Sequence, residues 1–353
     1  MPTPMRTRST WITLSLLACL ATSAAHGQPT DRLWRTTSTP AEQALDATAF
    51  QGMDAVLADQ LTDVQSAVVV LRGRMVYRYY RDGNAEKLRD TQSASKSALS
   101  ALVGTAIAQG RIASVDQRVV ELMPAWEPLN SDPRAAAITL RHLLTLTAGF
   151  ALDSGLRTRA GTAAPLPVQQ AWARPLAADP GQVFAYDNSV TPLLVAVLEK
   201  ATGMPLAEYA RQQLVGPMGL AEPAYRGSIV HLRTLDMAKL GQLYLQRGQW
   251  DGKPLLTEAF VDASVQAQNA GGPPVGLHYG QLWWVVPGKA PRPTFLASGF
   301  GGQLIWVYPP LDLVVATTST VSLESGQRGQ ALQWIRNQVF AAAHHRVAAE
   351  PTR

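Results

Sequence analysis

Strand-like runs stand at both ends of this chain, with helix-patterned segments between them, and that order constrains the fold more than any other feature. Ser66-Ala67-Val68-Val69-Val70-Leu71 is an apolar, β-branched run, Gly73 supplies a turn, and Met75-Val76-Tyr77-Arg78-Tyr79-Tyr80 returns, which reads as a hairpin. Strand patterns come back only late, over residues 278–286, 303–308 and 313–318, with Pro309-Pro310-Leu311-Asp312 turning the chain between the last two. Between these ends the period is helical. Leu99, Leu102, Val103, Ala106 and Ile107 recur on a helix over residues 97–109, stopped by Gly110. Residues 115–225 read as short helices, proline-rich turns and loops, the clearest helices being 140–145 and 190–201. Phe50, Met53, Val56, Leu57 and Leu61 share a helical face ahead of the hairpin, and a last helix runs over residues 326–343.

An α+β fold satisfies this order: an antiparallel sheet built from both ends of the chain, flanked by helices, with a mostly helical domain inserted. The expected division is a discontinuous sheet domain over residues 49–114 and 226–346, a helical domain over 115–225, and a polar, loosely attached lead-in over 28–48. No internal repeat and no low-complexity tract interrupts it.

The 353 residues, 46% hydrophobic and 16% charged, are enough to bury a substantial core. The formal net charge of +5 is scattered rather than run together, and aromatics are only 7% of the residues, so no nucleic-acid partner is expected. Two of the positive charges, Arg6 and Arg8, precede an apolar stretch over residues 11–21, and Ala25-His26-Gly27 offers small residues for a cut before Gln28. This is the pattern of an export signal over residues 1–27, too short to span a bilayer, and it predicts a periplasmic or secreted protein. An uncut N-terminal anchor, and a lipoprotein cut at Leu16-Leu17-Ala18-Cys19, are the alternatives. Cys19 is the only cysteine, so no internal disulfide and no cysteine nucleophile are available.

The sharpest chemical signal is Ser93-Ala94-Ser95-Lys96 at the head of the 97–109 helix. Positions i and i+3 share a helix face, and the unpaired N–H groups of a helix start favour an anionic oxygen. A serine hydroxyl needs a base, and a lysine serves as one where burial or nearby cations favour its neutral amine. The bland alternative makes Ser93 a helix cap and Lys96 a solvated first-turn residue. Tyr186-Asp187-Asn188 supplies a phenol able to relay a proton and an amide able to hold an amine or a substrate carbonyl; equally, Asp-Asn before a helix is ordinary capping chemistry. Ala297-Ser298-Gly299-Phe300-Gly301-Gly302-Gln303 sets small residues ahead of a strand, where a substrate can lie against backbone, or simply forms a glycine-rich hairpin.

The order Ser93-x-x-Lys96, Tyr186-x-Asn188, then Ser298-Gly299 before a late strand resembles the class C β-lactamase and penicillin-recognising serine hydrolase superfamily. Further text is similar to that family: Ser97-Ala98-Leu99 with Leu102-Val103-Gly104, Gly110-Arg111-Ile112, Arg141-His142-Leu143-Leu144-Thr145 with Gly149, Asp236-Met237-Ala238-Lys239-Leu240-Gly241, and Tyr279-Gly280 with Trp283-Trp284. The resemblance covers about residues 50 to 340 and looks nearest to the 6-aminohexanoate-dimer hydrolases and the β-lactamase-like carboxylesterases. It implies a β-lactamase/transpeptidase-like fold and an acyl-enzyme on Ser93, with Lys96 and Tyr186 sharing the base and relay roles. It also implies that Asn188 acts as a supporting or substrate-contacting amide. Ser298 and Gly299 would lie along the substrate, and the backbone N–H groups of Ser93 and Phe300 would form the oxyanion hole.

One departure narrows the substrate. The family's third motif usually opens on Lys or His, a cation suited to a substrate carboxylate, and here that position is Ala297. An ester, or an amide without that carboxylate, fits better than a β-lactam or a D-alanyl-D-alanine peptide. Those two activities remain alternatives, as does a non-catalytic cell-wall or ligand-sensing module. No Gly-x-Ser-x-Gly elbow occurs, and His26, His142, His231, His278, His344 and His345 make no metal-ligand spacing. The expected partner is therefore a small-molecule ester, amide or β-lactam-like substrate, with no cofactor, no metal and no protein partner implied.

Overall fold

A computed structural model describes residues 1, 38–39, 41–43, 47–152, 166–322 and 329–344. The leader reading, with Cys19, and most of the lead-in fall outside these described residues.

Eight strands make one antiparallel sheet: β1 (Val64–Leu71), β2 (Arg74–Tyr80), β3 (Asn269–Gly272), β4 (Leu277–Tyr279), β5 (Trp284–Val285), β6 (Phe295–Gly299), β7 (Gln303–Tyr308) and β8 (Leu313–Ser319). Their spatial order is β2-β1-β8-β7-β6-β5-β4-β3. The two ends of the chain thus pair with each other, β1 against β8, from Val64↔Ser319 to Leu71↔Leu313. Both strands are buried almost throughout, which explains why they read as continuous apolar runs rather than alternating ones.

Helices cover both faces of this sheet. Four of them matter below: α1 (Ser95–Ala108), α2 (Leu140–Leu144), α3 (Val190–Thr202) and α4 (Thr234–Leu245). α4 lies on β1, β7 and β8, so closely that a Cβ on Gly241 would come within 2.7 Å of Ile305 and 2.8 Å of Val314. On the opposite face Trp334, in the helical segment that begins at Gln330, packs its ring 5.8 Å from that of Tyr77. α1 is buried around nearly its whole circumference, between α3 and the β6 side of the sheet. This buried helix carries Lys96, so the base candidate is built into the interior of the molecule.

A second, three-stranded sheet joins Arg89–Asp90, Ile229–Leu232 and Ala224–Arg226 just ahead of Ser93. Among the described residues, Ala224–Arg226 is the one strand within 115–225. In the described part of the lead-in, the Ser38 amide donates to the Met75 carbonyl at 3.1 Å.

One reading of local structure changes. Residues 278–286 are not one strand. β4 and β5 form a hairpin through Gly280-Gln281-Leu282-Trp283, closed by a 2.8 Å bond from the Gly280 amide to the Trp283 carbonyl. The reversal hides in apolar sequence because it is buried and its backbone is satisfied inside the protein. Gln281 N–H donates to Ser264 O, Leu282 N–H to Leu144 O, and Leu282 O accepts from the Ser97 hydroxyl. Gly280 is required there: a Cβ would meet the Ser264 carbonyl at 2.1 Å. Ser298 and Gly299 do precede a strand, β7, as expected, but they also belong to one themselves, β6, where they pair with Leu304 and Gln303.

Candidate active site

Ser93 occupies a single 3-10 turn, Gln92–Ala94, that leads directly into α1. The residues on either side of it are anchored. Thr91 Oγ1 donates to the Val230 carbonyl at 2.6 Å, and Ser95 Oγ accepts from the Val230 amide at 2.9 Å. Asp90 braces the turn by accepting from both the Gln92 amide and the Gln92 side-chain amide at 2.8 Å. Gln92 itself has φ 48°, a left-handed conformation that a side chain with a Cβ disfavours by about 1–2 kcal/mol. The bracing holds this strain and presents Ser93 to the cleft.

One turn of helix below, Lys96 is 7% exposed. Its Nζ donates to Ser93 Oγ at 3.2 Å and to Asn188 Oδ1 at 2.9 Å, and sits 5.0 Å from the centre of the Tyr186 ring. Among the described residues it has no carboxylate partner. The solvated-lysine alternative therefore does not describe this side chain.

The Tyr186-Asp187-Asn188 segment divides by side. Tyr186 and Asn188 line the cleft, whereas Asp187 turns into the protein, where Oδ2 accepts from Arg174 Nη2 at 2.6 Å and Oδ1 accepts from the Ser189 amide at 2.8 Å. Capping by Asp187 is not what the structure shows: Ser189 is the N-cap of α3 and no side chain caps it, while Asp187 closes a turn on the Ser189 amide that aims its two neighbours. Tyr186 stacks on Trp284, with centroids 5.8 Å apart and planes 14° from parallel. Phe184 and Tyr279 complete this aromatic wall behind it. Burial holds the Tyr279 phenol well above its ordinary pKa, so it packs as a neutral ring. Trp283 points the other way, into the core against Tyr244 and Phe295.

Facing Ser93 across the cleft is the end of β6. A Cβ on Gly299 would lie 2.5 Å from the Thr91 carbonyl and 3.0 Å from Gln92 Cβ, so only glycine lets this strand run against the turn that carries Ser93. Gln303, fully buried, pins the bend after it, donating to Phe300 O at 3.0 Å and Ser319 O at 2.9 Å and accepting from the Ser319 amide.

The cleft has a volume of about 860 Å³. Ser93, Tyr186, Asn188, Ser298, Gly299 and Phe300 all line it, and Lys96 lies under its floor. Hydrogen bonds join Ser93, Lys96 and Asn188, while Tyr186 approaches through its ring and its hydroxyl bonds to neither Ser93 nor Lys96. Ala297 is 1% exposed on β6 and brings no charge. Among the described residues no group of His, Cys, Asp or Glu is placed to hold a metal ion.

Sequence reasoning missed the Arg174–Asp187 pair and the bracing by Asp90, Thr91 and Val230. The aspartate between Tyr186 and Asn188 was the one available signal; its partner, thirteen positions earlier, carried none.

Comparison with known proteins agrees with the fold. The beta-lactamase family model matches residues 51–339. The esterase EstB of Burkholderia gladioli is 26% identical over 223 residues, which are 52% of this chain and 53% of that protein, so the match spans about half the length of that curated relative. Among solved structures, EstCE1, a hydrolase with promiscuous acyltransferase activity, superposes with a TM-score of 0.66 at 21% identity, over 86% of this chain and 100% of its own. A candidate 6-aminohexanoate-dimer hydrolase from Bacillus anthracis gives 0.66 at 22%, over 83% and 81%. The octameric penicillin-binding protein homologue from Pyrococcus abyssi gives 0.64 at 17%, over 85% and 78%. At these identities the structural likeness is one of fold.

Proposed function

This chain belongs to the beta-lactamase family, and within it we propose a serine hydrolase that acts through an acyl-enzyme on an ester or amide. Ser93 Oγ attacks the substrate carbonyl as its proton passes to Lys96 Nζ. The 3.2 Å separation of these atoms carries the reading, because it is within the reach that base-assisted attack requires. Asn188 accepts from the same amine at 2.9 Å and orients it. The developing oxyanion is held by the backbone N–H groups of Ser93 and Phe300. Tyr186 gives its own phenolic proton to the leaving group and recovers one from Lys96 Nζ as the site closes on substrate, and water then cleaves the ester on Ser93, releasing the acid and restoring the serine hydroxyl.

The absence of a cation at Ala297 favours an ester or a simple amide over a β-lactam or a D-alanyl-D-alanine peptide. We further propose that the reaction takes place outside the cytoplasm, in the periplasm or medium, on the strength of the leader pattern over residues 1–27.

Intact-protein mass spectrometry with p-nitrophenyl esters, a fluorescent penicillin and a fluorophosphonate tests the reading. We expect a stable phosphonate adduct and a transient acyl adduct from esters, both lost in Ser93→Ala. An adduct that survives Ser93→Ala, or none from any probe, overturns it. Preferential acylation by the penicillin transfers the assignment to a β-lactamase or carboxypeptidase.

A further inference from the structure

The wall of the cleft carries no ionic group: among its described lining residues there is no Lys, Arg, His, Asp or Glu. Its mouth is also unusual. Five large apolar side chains are exposed among the described residues: Met1, Leu129, Val183, Val321 and Leu332. Two of them, Val183 at 52% and Leu332 at 38% exposure, line this cleft. Val321 directly follows Thr320, whose carbonyl lies 2.7 Å from where a Cβ of Gly301, another lining residue, would sit. A lone apolar side chain in water needs no explanation, but a group of them gathered at one concave site marks a place where an apolar ligand is covered. Val183 comes from the segment before Tyr186 and Leu332 from the helical segment after β8, so two distant parts of the chain bring apolar surface to the same opening.

Resting on the serine-hydrolase reading, we infer that the substrate is an uncharged ester carrying an aliphatic chain, which runs from Ser93 along the apolar wall and out over Val183 and Leu332. A carboxylate on that chain meets no cation in the described wall and loses its hydration on entry. Each methylene fully removed from water strengthens binding about 4-fold, and one half-covered at the mouth about 2-fold. The chain belongs either to the acyl group or to the alcohol, and the two sources are separable.

The test measures kcat/KM for two ester series below their micellar concentrations: p-nitrophenyl acetate, butyrate, hexanoate and octanoate, and ethyl, butyl, hexyl and octyl acetate. A p-nitrophenyl ester of octanoate bearing a terminal carboxylate is added as the charged control. We expect kcat/KM to climb with length in one series, which identifies the side that carries the chain, and the charged ester to fall at least about tenfold below octanoate. In the double variant Val183→Asn with Leu332→Asn, the ratio of longest to shortest ester should fall at least about fivefold. A flat or falling profile in both series, an unchanged ratio in the double variant, or equal use of the charged ester overturns the inference, provided that acetate still acylates Ser93. Failure of every ester to acylate Ser93 removes the hydrolase reading as well, so the two failures are distinguishable.

Discussion

Breaking the buried pair between Arg174 and Asp187 should be costly out of proportion to one hydrogen bond. The arginine side chain is 9% exposed and the aspartate 5%, with Nη2 and Oδ2 2.6 Å apart. Arg174 also donates to Ala171 O at 3.0 Å and Ala151 O at 3.4 Å, and its guanidinium lies 4.8 Å from the centre of the Phe150 ring. Arg174→Met keeps much of the volume but removes these bonds and leaves the Asp187 carboxylate buried with the Ser189 amide as its remaining partner. A hydrogen bond to a charged group accounts for about 1.5–3 kcal/mol; removing one member of a buried ion pair costs about 3–5 kcal/mol because the other charge is stranded. We therefore expect urea unfolding to show a loss of about 3–5 kcal/mol in Arg174→Met. The double variant Arg174→Met with Asp187→Asn should recover at least half of that loss, since neither charge is then left alone. The exposed pair of Arg247 and Asp262 is the internal control, its side chains 42% and 36% accessible; Arg247→Met should change stability by no more than about 1 kcal/mol. Activity should fall in the single variant, because Asp187 sets the turn that aims Tyr186 and Asn188. An Arg174→Met protein within about 1 kcal/mol of the parent, or a double variant as unstable as the sum of the singles, refutes the argument.

Three other outcomes are expected. Lys96→Ala should lower kcat/KM for any accepted ester by about 10²–10⁴-fold with little change in the unfolding transition, measured by steady-state kinetics beside circular dichroism. Gly299→Ala should push β6 away from the turn carrying Ser93, costing about 1–3 kcal/mol in unfolding and lowering kcat at least about tenfold, while Gly83→Ala, in open space, leaves kcat unchanged. Burial, helped by the neighbouring Arg141 cation, pushes the half-buried His142 below the ordinary histidine pKa, against a weaker opposing effect of Asp116. The folded state thus prefers the neutral ring, whose Nδ1 accepts from the Thr139 amide. Its contribution to stability is complete above the unfolded value of about 6.5 and is lost as pH falls through the lower folded value. His142→Gln should flatten that acid-side decline in a series of unfolding curves.

How much of the site was legible depends on sequence distance. Ser93 and Lys96 could be paired because three positions on a helix fix their side chains on one face. Lys96 and Asn188 are 92 positions apart, and no local rule brings them together; their bond exists because α1 packs against α3, with Asn188 at the start of the latter. The central strands were legible because both of their faces are covered, so continuous apolar runs have one interpretation. The β4–β5 reversal was not, since turn residues are normally recognised by polarity, and this turn is buried with its backbone groups satisfied by Ser264, Leu144 and Ser97. Gly299 was visible as a glycine, but the reason for it, the Thr91 carbonyl, comes from a segment some two hundred residues earlier.

Two of the seven described non-glycine residues with positive φ stand beside the aromatic wall of the site. Leu146 and Leu282 have φ values of 56° and 59°, a region that costs a residue with a Cβ about 1–2 kcal/mol, yet both are almost fully buried. Burying a leucine side chain contributes about 1.5–3 kcal/mol, enough to offset that strain. The strain also has a geometric consequence. From the end of α2, the Leu146 carbonyl accepts from the Ala185 amide at 2.9 Å, next to Tyr186, while the Leu144 carbonyl accepts from the Leu282 amide at 2.8 Å, two residues before Trp284. One short stretch, residues 144–146, therefore holds both partners of the Tyr186–Trp284 stack, one through each carbonyl. Ser97, on the same helix as Lys96, fixes the Leu282 carbonyl at 2.7 Å and ties that stack to the helix beneath it. The phenol and the amine are thus positioned by a single connected frame, and a lysine whose place is fixed from two sides does not have to spend conformational entropy to reach its serine.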